Sequence, residues 1–64
     1  MTHTPKALVK MAVSSGLNSR QEVLKFFLTD GYSLKTAKRW LRDLEDNGLI
    51  REEDGSIWPN FPMR

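Results

Sequence analysis

Ser33-Leu34-Lys35-Thr36-Ala37-Lys38-Arg39-Trp40-Leu41-Arg42-Asp43-Leu44-Glu45-Asp46-Asn47-Gly48-Leu49-Ile50 is the run that decides the fold. A serine cap opens it, an apolar stripe runs through it, and Asn47-Gly48 stops the helix before Leu49 and Ile50 begin a strand. At roughly 100° per residue, Leu34, Ala37, Trp40, Leu41 and Leu44 fall within an arc of about 120°, the face expected to be buried. Lys35, Lys38, Arg39 and Arg42 occupy a nearly opposite arc of about 100°. One side of this helix docks, and the other offers cations.

The order of the charges carries further information. Lys35, Lys38 and Arg39 sit in the first half, and Asp43, Glu45 and Asp46 in the last turns. The helix dipole favours the reverse order, by ~0.3–1 kcal/mol per exposed charge near an end. Arg39–Asp43 and Arg42–Asp46 are spaced i,i+4 with the base first, the less favourable orientation. The pattern does not serve helix stability. It fits a helix whose N-terminal half faces phosphates and base edges in a DNA major groove. A solvated face with fortuitous ion pairs has the same composition, and the helix alone does not separate the two.

Upstream, Asp30-Gly31-Tyr32-Ser33 has the length and chemistry of a helix-turn-helix corner. Ser19-Arg20-Gln21-Glu22 is a capping box, and it starts a helix over about 20–29. Val23, Leu24, Phe27 and Leu28 form its buried stripe, with Phe26 off the stripe. Thr4-Pro5 starts a helix over about 5–15, with Leu8, Val9, Ala12 and Val13 inward and Gly16 as its stop. The deciding helix itself runs over about 34–47.

Downstream, Leu49-Ile50-Arg51 and Ile57-Trp58 flank Glu52-Glu53-Asp54-Gly55-Ser56, and the Asp-Gly step predicts a hairpin over about 49–58. Residues 59–64 form a tail in which Pro59, Phe61, Pro62 and Met63 are expected to pack back on the domain or on a partner. Trp40 shares its arc with Leu44 and is expected in the core. Trp58 and Phe61 fit either closure of a small core or a homodimer contact, and other exposed apolar surface would serve a dimer equally.

The 64 residues make one small domain, expected to use every large apolar side chain it has. The absence of cysteine excludes a disulfide framework and a thiolate metal site. No secretory or membrane-spanning segment is evident; Phe26-Phe27-Leu28 is far short of the ~18 apolar residues a span needs, so a cytoplasmic location is expected. Net charge is +2, but Lys6, Lys10 and Arg20 stand without an acid in residues 1–20, whereas Glu52, Glu53 and Asp54 outweigh Arg64 in the last stretch. A nucleic-acid surface would therefore use the first and third helices. No nucleophile–base set, phosphate-cradling glycine loop or His/Cys cluster is present, so neither catalysis nor a cofactor or metal is expected. His3, the single histidine, lies at an end expected to fray and is given no role.

Three helices followed by a hairpin give the expected fold class: mainly α with a small β-hairpin, in the order of a winged helix-turn-helix domain. The run from Ser33 to Ile50 resembles the recognition-helix segment of small bacterial, archaeal and phage winged-helix regulators. The shared pattern is a serine cap, a threonine three residues on, a central base, a leucine-acid step and a closing glycine-leucine-isoleucine. Here these are Ser33, Thr36, Arg39, Leu44-Glu45 and Gly48-Leu49-Ile50. With the second helix and the hairpin, the resemblance covers about residues 19–58. It implies that Lys35, Thr36, Lys38 and Arg39 point into the major groove, with Arg39 placed to read a guanine through a bidentate contact. Ser33, Arg42 and Arg20 would hold phosphates. Two features depart from the pattern. The wing tip is acidic, and no strand is evident in Gly16-Leu17-Asn18 between the first two helices.

The resulting expectation is sequence-specific binding of double-stranded DNA by a transcriptional or mobile-element regulator, with the short length pointing to phage or plasmid systems. The alternative is a winged-helix interaction module that binds a host or partner protein, which an acidic wing and an aromatic tail would also suit.

Overall fold

A computed structural model of the chain describes residues 2–61. Helices α1 (Pro5–Ser14), α2 (Arg20–Thr29) and α3 (Leu34–Asp46) precede an antiparallel hairpin of β1 (Ile50–Glu53) and β2 (Ser56–Pro59). The class is thus mainly helical with a two-stranded hairpin, as the hydrophobic periods and turn signals indicate. Pro62 and Met63, assigned to a packing tail, lie outside the described residues.

Each helix begins on a side-chain hydroxyl. Thr4 accepts from the Ala7 amide, Ser19 from the Glu22 amide and Ser33 from the Thr36 amide. Such caps are worth ~1 kcal/mol each, a sizeable fraction of what holds a small domain together. Helix α3 ends as its sequence dictates. Gly48 takes a left-handed conformation (φ 72), which lets its own amide reach Glu45 O at 2.9 Å and the Leu49 amide reach Leu44 O at 2.8 Å. This paired closure satisfies carbonyls that the helix end would otherwise leave open, and it turns the chain into β1.

The hairpin pairs Ile50 with Pro59, Arg51 with Trp58, Glu52 with Ile57 and Glu53 with Ser56. Only Asp54 and Gly55 remain for the turn, and both have positive φ (53 and 79), the type I′ geometry that matches strand twist. A further pairing joins the hairpin to the chain ahead of α2. Ser19 bridges Ser56, the Ile57 amide donates to Asn18 O at 2.7 Å, and the Arg20 amide donates to Gly55 O at 3.0 Å. The segment between α1 and α2 therefore does pair with β2. A bridge of single residues has no alternating apolar pattern to betray it in the sequence.

The core is one cluster to which every element contributes. Leu8, Val9 and Ala12 come from α1, and Val23, Leu24 and Phe27 from α2. Ala37, Leu41 and Leu44 come from α3, and Ile50 and Ile57 from the hairpin. Tyr32, in the corner between α2 and α3, completes it, its ring edge-on to Phe27 at 5.2 Å.

Two members of the α3 arc are not buried: Leu34 is 47% exposed and Trp40 40%. They sit at the two edges of the arc, and burial is confined to the central ~60° carrying Ala37, Leu41 and Leu44. Trp40 instead lines a shallow groove with Thr4, Pro5, Lys6 and Leu49, beside the start of α1. Leu28 is likewise exposed rather than buried, whereas Phe26, off the expected stripe, packs partly against the core. Phe61 from the tail also packs against the core, 6.0 Å below the Lys6 ammonium, while Trp58 is exposed on the hairpin.

Candidate nucleic-acid interface

Helix α3 meets α2 and β1 through its apolar stripe, which fixes the direction of its other side. Lys35, Lys38, Arg39 and Arg42 are all exposed on that side. Among the described residues, no hydrogen bond or ion pair engages the side chains of Lys35, Lys38 or Arg39. Arg42 approaches Asp46 at 3.9 Å with its side chain 82% exposed, a contact worth little in water. The i,i+4 spacing of Arg39 and Asp43 does not produce an ion pair. Helix α3 also has no acid in its first turn and no base in its last, so nothing on it complements its dipole.

The polar residues at the start of α3 are more committed. Ser33 Oγ accepts the Thr36 amide at 3.2 Å and donates its hydrogen to Thr36 Oγ1 at 2.9 Å. Ser33 is thus occupied by capping. Thr36 keeps its own hydroxyl hydrogen for an outside acceptor. The amides of Leu34 and Lys35, ahead of the capped one, belong to the first turn, where N–H groups have no intrahelical partner.

Arg20 lies elsewhere. It opens α2, and its Nη1 donates to Glu52 Oε1 at 3.0 Å. Glu52 pairs with the buried Ile57 across the hairpin, so strand alternation turns it inward toward α2. Glu53, on the outer face, meets Arg51 at 2.9 Å. Two of the three acids that make the hairpin tip look anionic are therefore neutralised within the fold, and Asp54 occupies the turn. The inward phase of Glu52 is readable from strand period; its meeting with Arg20 joins residues 32 apart and has no local signature.

A second polar cluster forms where the sequence indicates a frayed end. The Asp30 carboxylate, at the C-cap of α2, accepts from the Thr2 and His3 amides at 2.9 Å and contacts His3 Nδ1 at 2.8 Å. The Tyr32 hydroxyl donates to His3 O at 2.9 Å. The His3 ring bond, the His3 amide and the Thr2 amide hold the Asp30 carboxyl below its ordinary value, against a smaller opposing effect of desolvation. This cluster ties the chain ahead of α1 to the corner that aims α3.

Among the described residues no helix is long and apolar enough to cross a membrane, and no three His, Cys, Asp or Glu side chains gather as a metal site requires. Fold and surface together define a small helical chain with a hairpin that presents one exposed basic helix face. No family model, curated protein or solved structure matches the chain.

Proposed function

We propose that this chain is a winged helix-turn-helix protein that binds double-stranded DNA sequence-specifically, in the manner of a small transcriptional or mobile-element regulator. The observation that carries the proposal is the exposed cationic face of α3, opposite Ala37, Leu41 and Leu44. Lys35, Lys38 and Arg39 enter the major groove, where Arg39 reads a guanine edge and the free hydrogen of Thr36 meets a base acceptor or phosphate. Arg42, nearer the helix end, holds backbone phosphate. The Ser19–Ser56 bridge favours the winged-helix assignment, because it supplies the pairing between the hairpin and the segment after α1.

Pairing of Glu52 with Arg20 and of Glu53 with Arg51 offsets part of the repulsion that an acidic tip would exert on a phosphate backbone. A single module of this kind buries only ~600–1,000 Å² on DNA, so affinity is modest without a second copy.

The test is an amide-shift titration with random-sequence duplex at low salt. Shifts over residues 33–42 and α1 that weaken steeply with salt support the proposal. Shifts that are absent there, or centred on Trp58 and Phe61, overturn it in favour of a protein partner. The exposure of Trp58 is what makes that second outcome specific.

A further inference from the structure

A depression of the described surface lies between α1 and α2, away from the cations of α3. It is a cleft of about 500 Å³ floored by Leu8 and walled by Met11, Leu17 and Phe26, with Glu22 and Lys25 on its rim. His3 and Asp30, already bound to each other, also line it, but no residue of α3 or of the hairpin does. Met11 and Leu17 are 40% and 39% exposed, so their apolar surface is open within the cleft. An apolar hollow with apolar walls and a charged rim has the composition of an interface centre.

The rim says what fits. Glu22 and Lys25 lie one helical turn apart on the cleft side of α2. A rim with one acid and one base at that spacing is complementary to itself. When two copies of α2 cross antiparallel about a twofold axis level with that turn, each Glu22 faces the Lys25 of the other copy. An isologous interface requires this reciprocity. Glu22 already accepts Ser19 Oγ through Oε1, which leaves Oε2 for a lysine.

We infer that the α1–α2 cleft is the docking face for a second copy of this chain, in a symmetric dimer closed by reciprocal Glu22–Lys25 pairs. The dimer leaves the basic face of α3 open on both copies. It requires no nucleic acid, so it stands or falls separately from the DNA-binding proposal.

Sedimentation equilibrium of the whole chain tests it, from about 10 µM to about 1 mM, the range in which small interfaces form. The wild type sediments as a monomer–dimer equilibrium. Lys25→Glu and Glu22→Lys each place like charges opposite one another and weaken self-association about tenfold or more, the equivalent of ~1.4 kcal/mol. Mixing the two variants restores the dimer, because every acid then meets a base. Met11→Glu, at an exposed position, weakens it without charge complementarity to rescue it. Thermal melts of each variant establish that the fold survives. A wild type that stays monomeric throughout overturns the inference. So does a dimer that persists in Lys25→Glu and Met11→Glu, or a mixture of the charge variants that fails to associate while both remain folded.

Discussion

Arg20 and Glu52 meet at 3.0 Å between the first turn of α2 and the inner face of the hairpin, with side chains 38% and 28% exposed. At that exposure the pair contributes little to stability, within ~1 kcal/mol. Its consequence for binding is larger. If Arg20 holds a phosphate, as the winged-helix resemblance implies, that phosphate competes with Glu52 for the same guanidinium, and the carboxylate acts as its resident substitute. Glu52→Gln should strengthen duplex binding about three- to tenfold at low salt and raise the salt slope by nearly one ion, since one more cation then reaches phosphate. Arg20→Ala should weaken binding and lower the slope. Fluorescence anisotropy across a salt series reads both. Unchanged affinity in Glu52→Gln assigns Arg20 to the fold alone.

Arg39 and Arg42 share a helix face but should fail differently. If Arg39 reads a base, Arg39→Ala costs ~1–3 kcal/mol on the preferred sequence and flattens the preference at one position. Arg42→Ala weakens all sequences alike and lowers the salt slope by about one. A selection from randomised duplex, followed by titration of each variant against the selected and a scrambled site, separates the two roles. Equal losses on both duplexes for Arg39→Ala make it a phosphate contact.

The parts of this fold that were legible in the sequence are those decided within a few residues. Ser19 and Ser33 cap because their hydroxyls reach amides three residues on, and Asp54-Gly55 turns because both positions accept positive φ. The α3 cations were legible for the same reason, since helical phase alone sets their arc. The position of its apolar edges was not. Periodicity gives direction, but α2, β1 and the start of α1 decide how wide an arc is covered, and they leave Leu34 and Trp40 half exposed.

Contacts distant in sequence were illegible altogether. The sequence places Tyr32 only in a turn, yet it is buried against Phe27 with its hydroxyl on a carbonyl 29 residues away. His3 and Arg20 likewise have partners that only the folded chain brings near.

Ile57 carries the junction between hairpin and helices. Its side chain is fully buried, and its amide donates to Asn18 O. Ile57→Ala should cost ~2–5 kcal/mol through lost burial and a residual cavity. A core of this size rarely supplies more than ~3–5 kcal/mol, so the substitution should remove much of the stability and lower the urea midpoint sharply. Urea denaturation read by circular dichroism checks this. Trp58→Ala, on the exposed face of the same strand, should shift the midpoint far less.

Asp30 makes part of the fold's stability depend on pH. Its carboxyl is held below the ordinary value first by the His3 ring, then by the His3 and Thr2 amides. A depressed folded-state pKa means that the native state prefers the ionised form. The associated stability is fully present above the unfolded value of about 3.9 and is lost as pH falls through the lower folded value. Asp30→Asn keeps the shape and one acceptor but removes the charge. Its destabilisation relative to wild type should shrink steadily below about pH 4, as Asp30 protonates in the wild type. His3→Ala removes the largest of the three causes and should reproduce most of that difference near neutral pH. Urea midpoints of the three proteins at matched pH values measure it. A gap between wild type and Asp30→Asn that does not narrow in acid would show that the charge on Asp30 contributes nothing, and that the clamp works through its neutral hydrogen bonds.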